Sequence, residues 1–278
     1  MVIGIDIGST TTKAVSVEGT GGGAAGRRII RKIKTRADDA VTSATGAFGK
    51  MIVENGIRMT DIERIMITGA GSSKLRGDLF GIPTRKVDEI QAIGIGGMFQ
   101  AGREGIIITN IGTGTAIIDA RRDSIVHLGG SGVGGGTIQG LAKKLLPTSE
   151  FSGIMELAGR GDLGQVDLRL EDIMAAGISF LNGEATASNF GKMLDSARSE
   201  DIALGIISMV YQVIGVLSVF AARSRSTGRV IITGNGSDNP LGKKVLTEIT
   251  GMYHVEFEYP EDAAYTTAIG AGLSLPEV

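Results

Sequence analysis

Two turns rich in glycine, serine and threonine interrupt apolar runs at related places in the chain. The first, "DIGSTTTK", begins at Asp6 after the apolar start of the sequence, and the second, "NIGTGT", begins at Asn110 after "GIIIT". Such turns point backbone N–H groups outward, supply hydroxyls and let a bulky anion approach closely. The pattern is typical of phosphate binding, and two such turns facing each other across a cleft can hold the phosphates of one nucleotide.

Charged residues beside the first turn complete this prediction. Asp6 ends the first apolar run and is placed to hold Mg²⁺ directly or through water, and Lys13 supplies a positive charge nearby. Ordinary hairpin turns are the alternative for either turn alone. A Walker loop does not match, because "GSTTTK" lacks the glycine before lysine. The turn residues predicted to bind phosphate are Gly8, Ser9 and Thr10 in the first turn and Gly112, Thr113, Gly114 and Thr115 in the second.

Two further glycine turns are candidates for the same nucleotide. "TGNGSDNP" ends a predicted strand and precedes a helix, so its Gly234 and Gly236 are predicted to hold the adenine ring and ribose. "GSGVGGGTIQG" runs into the start of a predicted helix, where N–H groups and the helix dipole attract anions. Its predicted contacts are Gly134, Gly135 and Gly136. Neither this stretch nor "GTGGGAAG" matches a dinucleotide fingerprint, which needs a preceding strand, a following helix and a later acidic residue.

The elements that position these turns occur twice. The order strand–turn–strand–strand–helix–strand–helix–strand–helix repeats, and "ERIMITGAGS" returns as "GRVIITGNGS". We therefore expect an α/β protein of two duplicated domains with a cleft between them. The predicted domains are residues 1–103 and 104–278, with an insertion of short helices over 148–200. A short helix is also predicted over 72–81.

One apolar segment has two interpretations. Residues 202–222 contain no charge and are long enough to span a bilayer. A helix buried in the centre of an α/β protein is equally apolar. Ser208, Gln212 and the lack of a second such segment favour the buried helix, and we expect residues 201–224 to pack against the core and a dimer partner.

Composition excludes several classes of function. The 278 residues carry a net charge of -2, which argues against nucleic-acid or anionic-membrane binding. There is no cysteine, so disulfides, iron–sulfur clusters and thiol nucleophiles are excluded, and two histidines cannot form a usual zinc site. No signal peptide is recognisable, and a cytoplasmic location is expected.

The motifs resemble those of a known group. "DIGSTTTK", "NIGTGT", "ITGNGS" and "AIGAG" resemble the phosphate, adenosine and connecting motifs of the sugar kinase/actin/Hsp70 ATPase superfamily. "VDEIQAIGIGG", "GGSGVGGGTIQGL", "RGDLGQVDLRLEDI" and "ATASNFGKML" resemble type II pantothenate kinases of the eukaryotic-like and staphylococcal kind, over nearly the whole chain. The resemblance implies ribonuclease H-like (actin-like ATPase) domains around a nucleotide cleft. It also implies phosphorylation of the primary hydroxyl of pantothenate, the first step of coenzyme A synthesis, with ATP and Mg²⁺, a homodimer, and feedback by coenzyme A or acyl-CoA.

The resemblance also implies roles for single residues. Glu89 matches the catalytic carboxylate, Asp6 the carboxylate of the first phosphate motif, and Thr113 a residue that meets both phosphate and substrate. From the residues alone, a solvated residue at a helix start is the plainer interpretation of Glu89. Asp88 is its rival as the proton acceptor, although adjacent residues of a strand point to opposite faces.

One departure concerns the predicted substrate-binding residue His127. The family usually has an arginine where this chain has His127, in "VHLGG". A histidine is mostly neutral at pH 7 and cannot make a two-pronged contact with an anion. A different substrate, weak activity, or a histidine in a plain polar position are the alternatives.

Three other functions compete with this assignment. A kinase of the same fold can act on another small hydroxyl compound, such as pantetheine or a sugar, and a non-catalytic nucleotide-binding regulator is a second alternative. The opening "GIDIGSTTTKAV" also resembles the activator ATPases of 2-hydroxyacyl-CoA dehydratases. Those activators hold an iron–sulfur cluster through cysteines, which this chain lacks.

Overall fold

The molecule contains two five-stranded sheets with the same topology. The computed structural model describes residues 1–19, 26–36, 39–173 and 183–274. The first sheet has the order β3-β2-β1-β4-β5 and the second the order β12-β11-β6-β7-β8. In each sheet the three consecutive strands pair antiparallel, and the two later strands add in parallel. The strands are β1 Val2–Ile7, β2 Thr11–Glu18, β3 Arg28–Arg36, β4 Arg64–Thr68, β5 Thr84–Lys86, β6 Ile106–Ile111, β7 Thr115–Arg121, β8 Ser124–Ser131, β9 Leu168–Arg169, β10 Thr186–Ser188, β11 Arg229–Thr233 and β12 Glu256–Glu258.

The helices begin and end at recognisable signals. The first helix starts where the Asp39 carboxylate accepts a hydrogen bond from Thr42 N at 2.8 Å, and it stops at Gly56, whose φ is 61°. The helices are α1 Ala40–Asn55, α2 Glu89–Ala101, α3 Gly135–Leu145, α4 Phe151–Ala158, α5 Leu170–Ile173, α6 Ser199–Ser224, α7 Pro240–Tyr253 and α8 Thr266–Leu273.

The predicted helix over 72–81 is wrong. A 3-10 turn over Ala70–Lys74 stands there instead, and the chain then passes through Gly77 and Gly81 with φ of 74° and 75°. Left-handed backbone at two positions cannot continue an α-helix. The second half of the chain has α7 at the corresponding place, so the two copies differ in this helix.

The predicted insertion contains more than short helices. Within 148–200 the described residues form α4, α5 and the two-stranded antiparallel sheet of β9 and β10. Residues 174–182 of the insertion, and most of the glycine-rich stretch "GTGGGAAG", lie outside the described residues. The division of the chain into domains 1–103 and 104–278 stays a prediction.

The long apolar helix α6 belongs to the core of the second sheet. It is the one helix among the described residues that is long and apolar enough to cross a membrane. Thirteen of its 26 residues are buried, and it packs on α3, α4 and α7 and on strands of the second sheet. Its buried side chains include Ile206, Val210 and Ile214, each fully enclosed.

The two halves exchange helices across the cleft. Helix α2 follows the first sheet in sequence but packs on β6, β7 and β8, whereas α8 ends the described chain and packs on β1, β2 and β4. The two helices also pack on each other at glycines. A methyl group added at Gly96 would lie 2.0 Å from Thr266 O, and one at Gly270 would lie 1.7 Å from Ala92 O. Backbone therefore touches backbone where the halves are joined.

Gly270→Ala tests this junction. We expect the substitution to lower the free energy of unfolding by about 3 kcal/mol or more, because the new methyl group meets backbone that cannot move aside. The matched control is Gly46→Ala in α1, where nothing lies within 4 Å of the added carbon and a gain of up to about 1 kcal/mol is expected. Thermal and urea unfolding of both variants provide the measurement. Equal stability of Gly270→Ala and wild type would contradict the close packing of α2 on α8.

Candidate active site

The first glycine turn closes the hairpin between β1 and β2 at the edge of the cleft. Gly8 N donates to Thr11 O at 3.1 Å, and an added methyl group at Gly8 would lie 2.8 Å from the same oxygen. Glycine is therefore needed for this tight turn. Gly8, Ser9, Thr10 and Lys13, all predicted to bind phosphate, line one cavity of about 320 Å³.

The second turn faces the first across that cavity. Between β6 and β7, Gly112 N donates to Gly114 O at 2.8 Å. The hydroxyls of Ser9 and Thr113 are 2.5 Å apart and link the two turns directly. All four predicted residues of this turn, Gly112 to Thr115, line the cavity. The structure thus brings both predicted phosphate turns to one place.

A buried carboxylate lies at the bottom of the cleft. Asp6, the next-to-last residue of β1, pairs with Lys13 of β2, and their Oδ2 and Nζ atoms are 3.4 Å apart. Both side chains are buried, and burial raises the pKa of Asp6 although Lys13 opposes the shift. Gly69 follows β4, the strand that pairs with β1. A methyl group added at Gly69 would lie 2.6 Å from Asp6 Oδ1, so glycine at this position leaves room for the carboxylate.

The structure separates the two candidate carboxylates at the start of α2. Asp88 caps the helix, because its Oδ1 accepts a hydrogen bond from Gln91 N at 3.0 Å. Glu89 is the first helical residue and lines the cavity with Asp6. The Glu89 side chain keeps contact with solvent, yet its pKa is raised first by desolvation and then by the charges of Asp6 and Asp88, while Lys13 opposes the shift.

The third turn contributes one wall of the cavity. Gly234 has a φ of 83°, and an added methyl group would lie 2.5 Å from Ile111 O. Gly234 and Asn235 line the cavity, and Asn235 Nδ2 donates to Thr11 Oγ1 at 2.9 Å across the cleft. Gly236 does not line it, because this glycine packs on the core and its carbonyl accepts a hydrogen bond from the Tyr211 hydroxyl at 2.7 Å.

The glycines at the start of α3 stand behind the second turn. Gly135 N donates to Gly112 O and Gly136 N donates to Thr113 O, both at 2.9 Å. A methyl group at Gly134 would lie 2.7 Å from Thr113 O. These N–H groups therefore support the turn from within the protein. Direct contact of Gly134, Gly135 or Gly136 with a nucleotide stays a prediction.

His127 lies on the second sheet, outside the residues that line the cavity. It pairs with Ile118 on β7, and Ile118 packs with Ile93 of α2. Because directly paired residues of an antiparallel sheet share a face, His127 lies on the face that carries α2, the helix that begins at Glu89, and it is exposed there. Its contact with a substrate stays a prediction.

Several residues of the cavity were not predicted from the sequence. The duplication points to two of them, because Asn110 is the next-to-last residue of β6 as Asp6 is of β1, and Asn235 takes the place of Ala70 in the repeated turn. Among the described residues, no group of three or more His, Cys, Asp or Glu side chains could hold a metal ion. The lining residues not singled out from the sequence are Thr11, Ala70, Asn110, Ala116, Ser131, Asn235 and Thr267.

Solved structures of other proteins share this fold. The component A of (R)-2-hydroxyglutaryl-CoA dehydratase from Acidaminococcus fermentans has a TM-score of 0.68 and 18% identity, with 98% of this chain and 96% of that chain covered. The ROK family glucokinase from Streptomyces griseus, in complex with glucose and AMPPNP, has a TM-score of 0.58 and 14% identity, with 98% and 97% covered. At these identities the similarity shows the fold alone, and the expected duplicated actin-like ATPase fold is confirmed.

Sequence relatives are more specific. The type II pantothenate kinase of Staphylococcus haemolyticus is 28% identical, with 98% of each chain covered. That of Bacillus anthracis is 31% identical, with 76% of this chain and 80% of the relative covered. A family model described as Fumble matches residues 105–273, more than half of the sequence. The resemblance to type II pantothenate kinases is thereby confirmed, and the chain belongs to the Fumble family.

Proposed function

We propose that this protein is a kinase that transfers the γ-phosphoryl group of ATP to the primary hydroxyl of pantothenate, the first step of coenzyme A synthesis. One observation carries the proposal: two phosphate-type turns, a buried Asp6–Lys13 pair and Glu89 line a single cavity. Phosphoryl transfer needs positioning, charge neutralisation and a proton acceptor, and these residues supply all three. The curated relatives are named as kinases of this kind.

The chain's own residues divide the work on ATP. The turns at Gly8 and Gly112 hold the phosphates between them, the turn at Gly234 holds the adenosine, and Lys13 meets the negative charge. Asp6 fits a magnesium ion, because it is a buried oxygen ligand whose pKa is raised by burial and whose one cationic partner is 3.4 Å away. Magnesium is usually held by one or two carboxylates together with phosphates and water, and when bound it neutralises phosphate charge.

Glu89 acts as the general base in this proposal. The pantothenate hydroxyl gives its proton to the Glu89 carboxylate while its oxygen forms the bond to the γ-phosphorus, and ADP leaves with the electrons of the broken P–O bond. A raised pKa makes this carboxylate a stronger base than an ordinary glutamate. Asp88 is engaged at the helix cap, so Glu89 is the carboxylate available to the cleft.

The proposal includes a homodimer in the cytoplasm. Helix α6 buries one side in its own subunit and leaves Phe220 58% exposed on the other. A second copy covering this surface would remove it from water. Sedimentation of the purified protein tests this arrangement, and a monomer at micromolar concentration would contradict it. Coenzyme A or an acyl-CoA is proposed as a feedback ligand.

Glu89→Gln tests the general base. We expect ATP binding within a few-fold of wild type and turnover lowered about 100-fold or more, because the amide keeps the shape but cannot take the proton. The matched control is Asp88→Asn, since asparagine also caps helices and should leave turnover close to that of wild type. Full turnover by Glu89→Gln would remove this residue from the mechanism.

The pH profile gives a second readout of Glu89. The base works only when ionised, and its pKa is raised, so kcat/KM of the wild type should fall with decreasing pH at a higher pH than an unperturbed glutamate would give. The residual activity of Glu89→Gln should vary less over that range. A wild-type profile that stays flat down to the ordinary pKa of glutamate, about 4.3, would contradict the shifted base.

His127→Arg tests the acceptor. If His127 meets the pantothenate carboxylate, a guanidinium there should improve KM or turnover about 10- to 100-fold, since the missing charge-assisted contact is worth about 1.5–3 kcal/mol. Uncharged pantetheine should not gain. A wild type that prefers pantetheine, together with no gain on pantothenate, would favour the alternative acceptor. If the arginine variant gains on neither acceptor, His127 lies outside the acceptor site.

A further inference from the structure

Asn235 differs from every other residue of the cleft in one respect. Its Nδ2 donates to Thr11 Oγ1 at 2.9 Å, but its Oδ1 is buried and has no hydrogen-bond partner. Four other buried side-chain polar atoms of the described residues lack a partner, and none of them lines the cavity. A buried acceptor without a donor is costly unless a ligand supplies one.

The backbone of the turn does not need this asparagine. The duplicated turn of the first half has Ala70 at the same position, between two glycines, and Ala70 lines the same cavity. The preceding glycines, Gly69 and Gly234, have φ of 86° and 83°, and a methyl group added at either would lie 2.7 or 2.5 Å from the carbonyl oxygen of Ile7 or Ile111, respectively. The same backbone thus forms with an alanine. The turn therefore does not require the amide of Asn235, and the amide is available to bind a ligand.

The position of Asn235 points to the ribose of the nucleotide. The residue lies in the turn assigned to adenosine, and it contacts Thr11 at the end of the turn assigned to phosphate. The group between base and phosphates is the ribose. A ribose hydroxyl both donates and accepts, so it can pair with the unpartnered atom of the amide in either orientation of the amide.

We propose that Asn235 determines nucleotide specificity by hydrogen-bonding a ribose hydroxyl of ATP, an inference that rests on the ATP-binding part of the proposed function. The contact between Ser9 and Thr113 joins the phosphate turns at 2.5 Å, so a triphosphate between them must separate the turns. Asn235 lines the same cavity, so its amide is within reach of a nucleotide held there.

Equilibrium binding of four nucleotides to the full chain tests this inference. The probes are ATP, 2′-deoxy-ATP, 3′-deoxy-ATP and inosine triphosphate, with no acceptor present. Wild type should bind one of the two deoxy nucleotides about tenfold more weakly than ATP. Asn235→Ala, which reproduces the residue of the first turn and should fold, should bind ATP about tenfold more weakly and lose the discrimination. Discrimination that persists in Asn235→Ala would overturn the proposal.

Thr11→Val separates recognition from closure of the cleft. It removes the hydroxyl bonded to Asn235 but keeps the shape of the side chain, so affinity should fall equally for all four nucleotides and the preference for ATP over deoxy-ATP should remain. Loss of that preference in Thr11→Val would assign the effect to closure and overturn the role of Asn235. A preference against inosine triphosphate that disappears in Asn235→Ala would move the contact to the adenine amino group, also against the proposal.

The outcomes distinguish this inference from the proposed function. Tight ATP binding without any ribose discrimination would overturn the role of Asn235 and leave the kinase assignment intact. Absence of ATP binding by the wild type would overturn both. Because no acceptor is used, a failure to phosphorylate pantothenate does not affect the result.

Discussion

The burial of Asp6 next to Lys13 is the constraint on which the cleft depends. A buried carboxylate and ammonium lose hydration that their attraction does not reliably return, so such a pair is weak support for stability. Here the pKa of Asp6 is raised despite Lys13, which means that the pair leaves the carboxylate undercompensated. A cleft that binds a polyanion with its cation can use this imbalance. The negative charge of Asp6 also reaches Glu89, where it adds to the rise in pKa.

The exchange of helices explains how Glu89 is positioned against this pair. Helix α2 begins directly after the first sheet and runs onto the second, so both halves of the protein determine where its first residue lies. Gly96 and Gly270 let α2 and α8 approach to backbone contact, which leaves little freedom for one half to slide on the other. Ala92 lies one helical turn after Glu89 and Thr267 lines the cavity, so a change at this junction would alter how Glu89 is placed against the two glycine turns.

Much of this arrangement is predictable from the sequence because local rules decide it. Apolar runs and glycine turns predict the strands, and Gly56 after the last turn of α1 predicts where that helix ends. The helix expected over 72–81 failed because Gly77 and Gly81 adopt left-handed conformations that a helical pattern does not reveal. The destination of a backbone N–H group is also beyond local rules: the amides of Gly135 and Gly136 bond to the second turn, which is distant in sequence.

Some residues of the cavity are likewise predictable from short local motifs, whereas others depend on segments that are distant in sequence. Asp6, Lys13 and the two phosphate turns are predictable because each is a compact motif. Asn110 and Asn235 could be predicted as cavity residues only by aligning the two halves of the sequence. For Asn235, the comparison with Ala70 also shows that the turn does not require the amide. His127 illustrates the limit of a motif, because its position in "VHLGG" does not specify which way the exposed side chain is directed.

Similarity of fold and similarity of function diverge in this protein. The fold is shared with a component of a 2-hydroxyglutaryl-CoA dehydratase and with a glucokinase, two proteins named for different activities. An iron–sulfur cluster held by cysteines is nevertheless impossible in a chain without cysteine. Glycine turns around a cleft act mainly through backbone groups, so proteins of one fold can share them while they differ in activity. In this chain the side chains of Glu89 and Asn235 add a carboxylate and an amide to the cavity that the turns line.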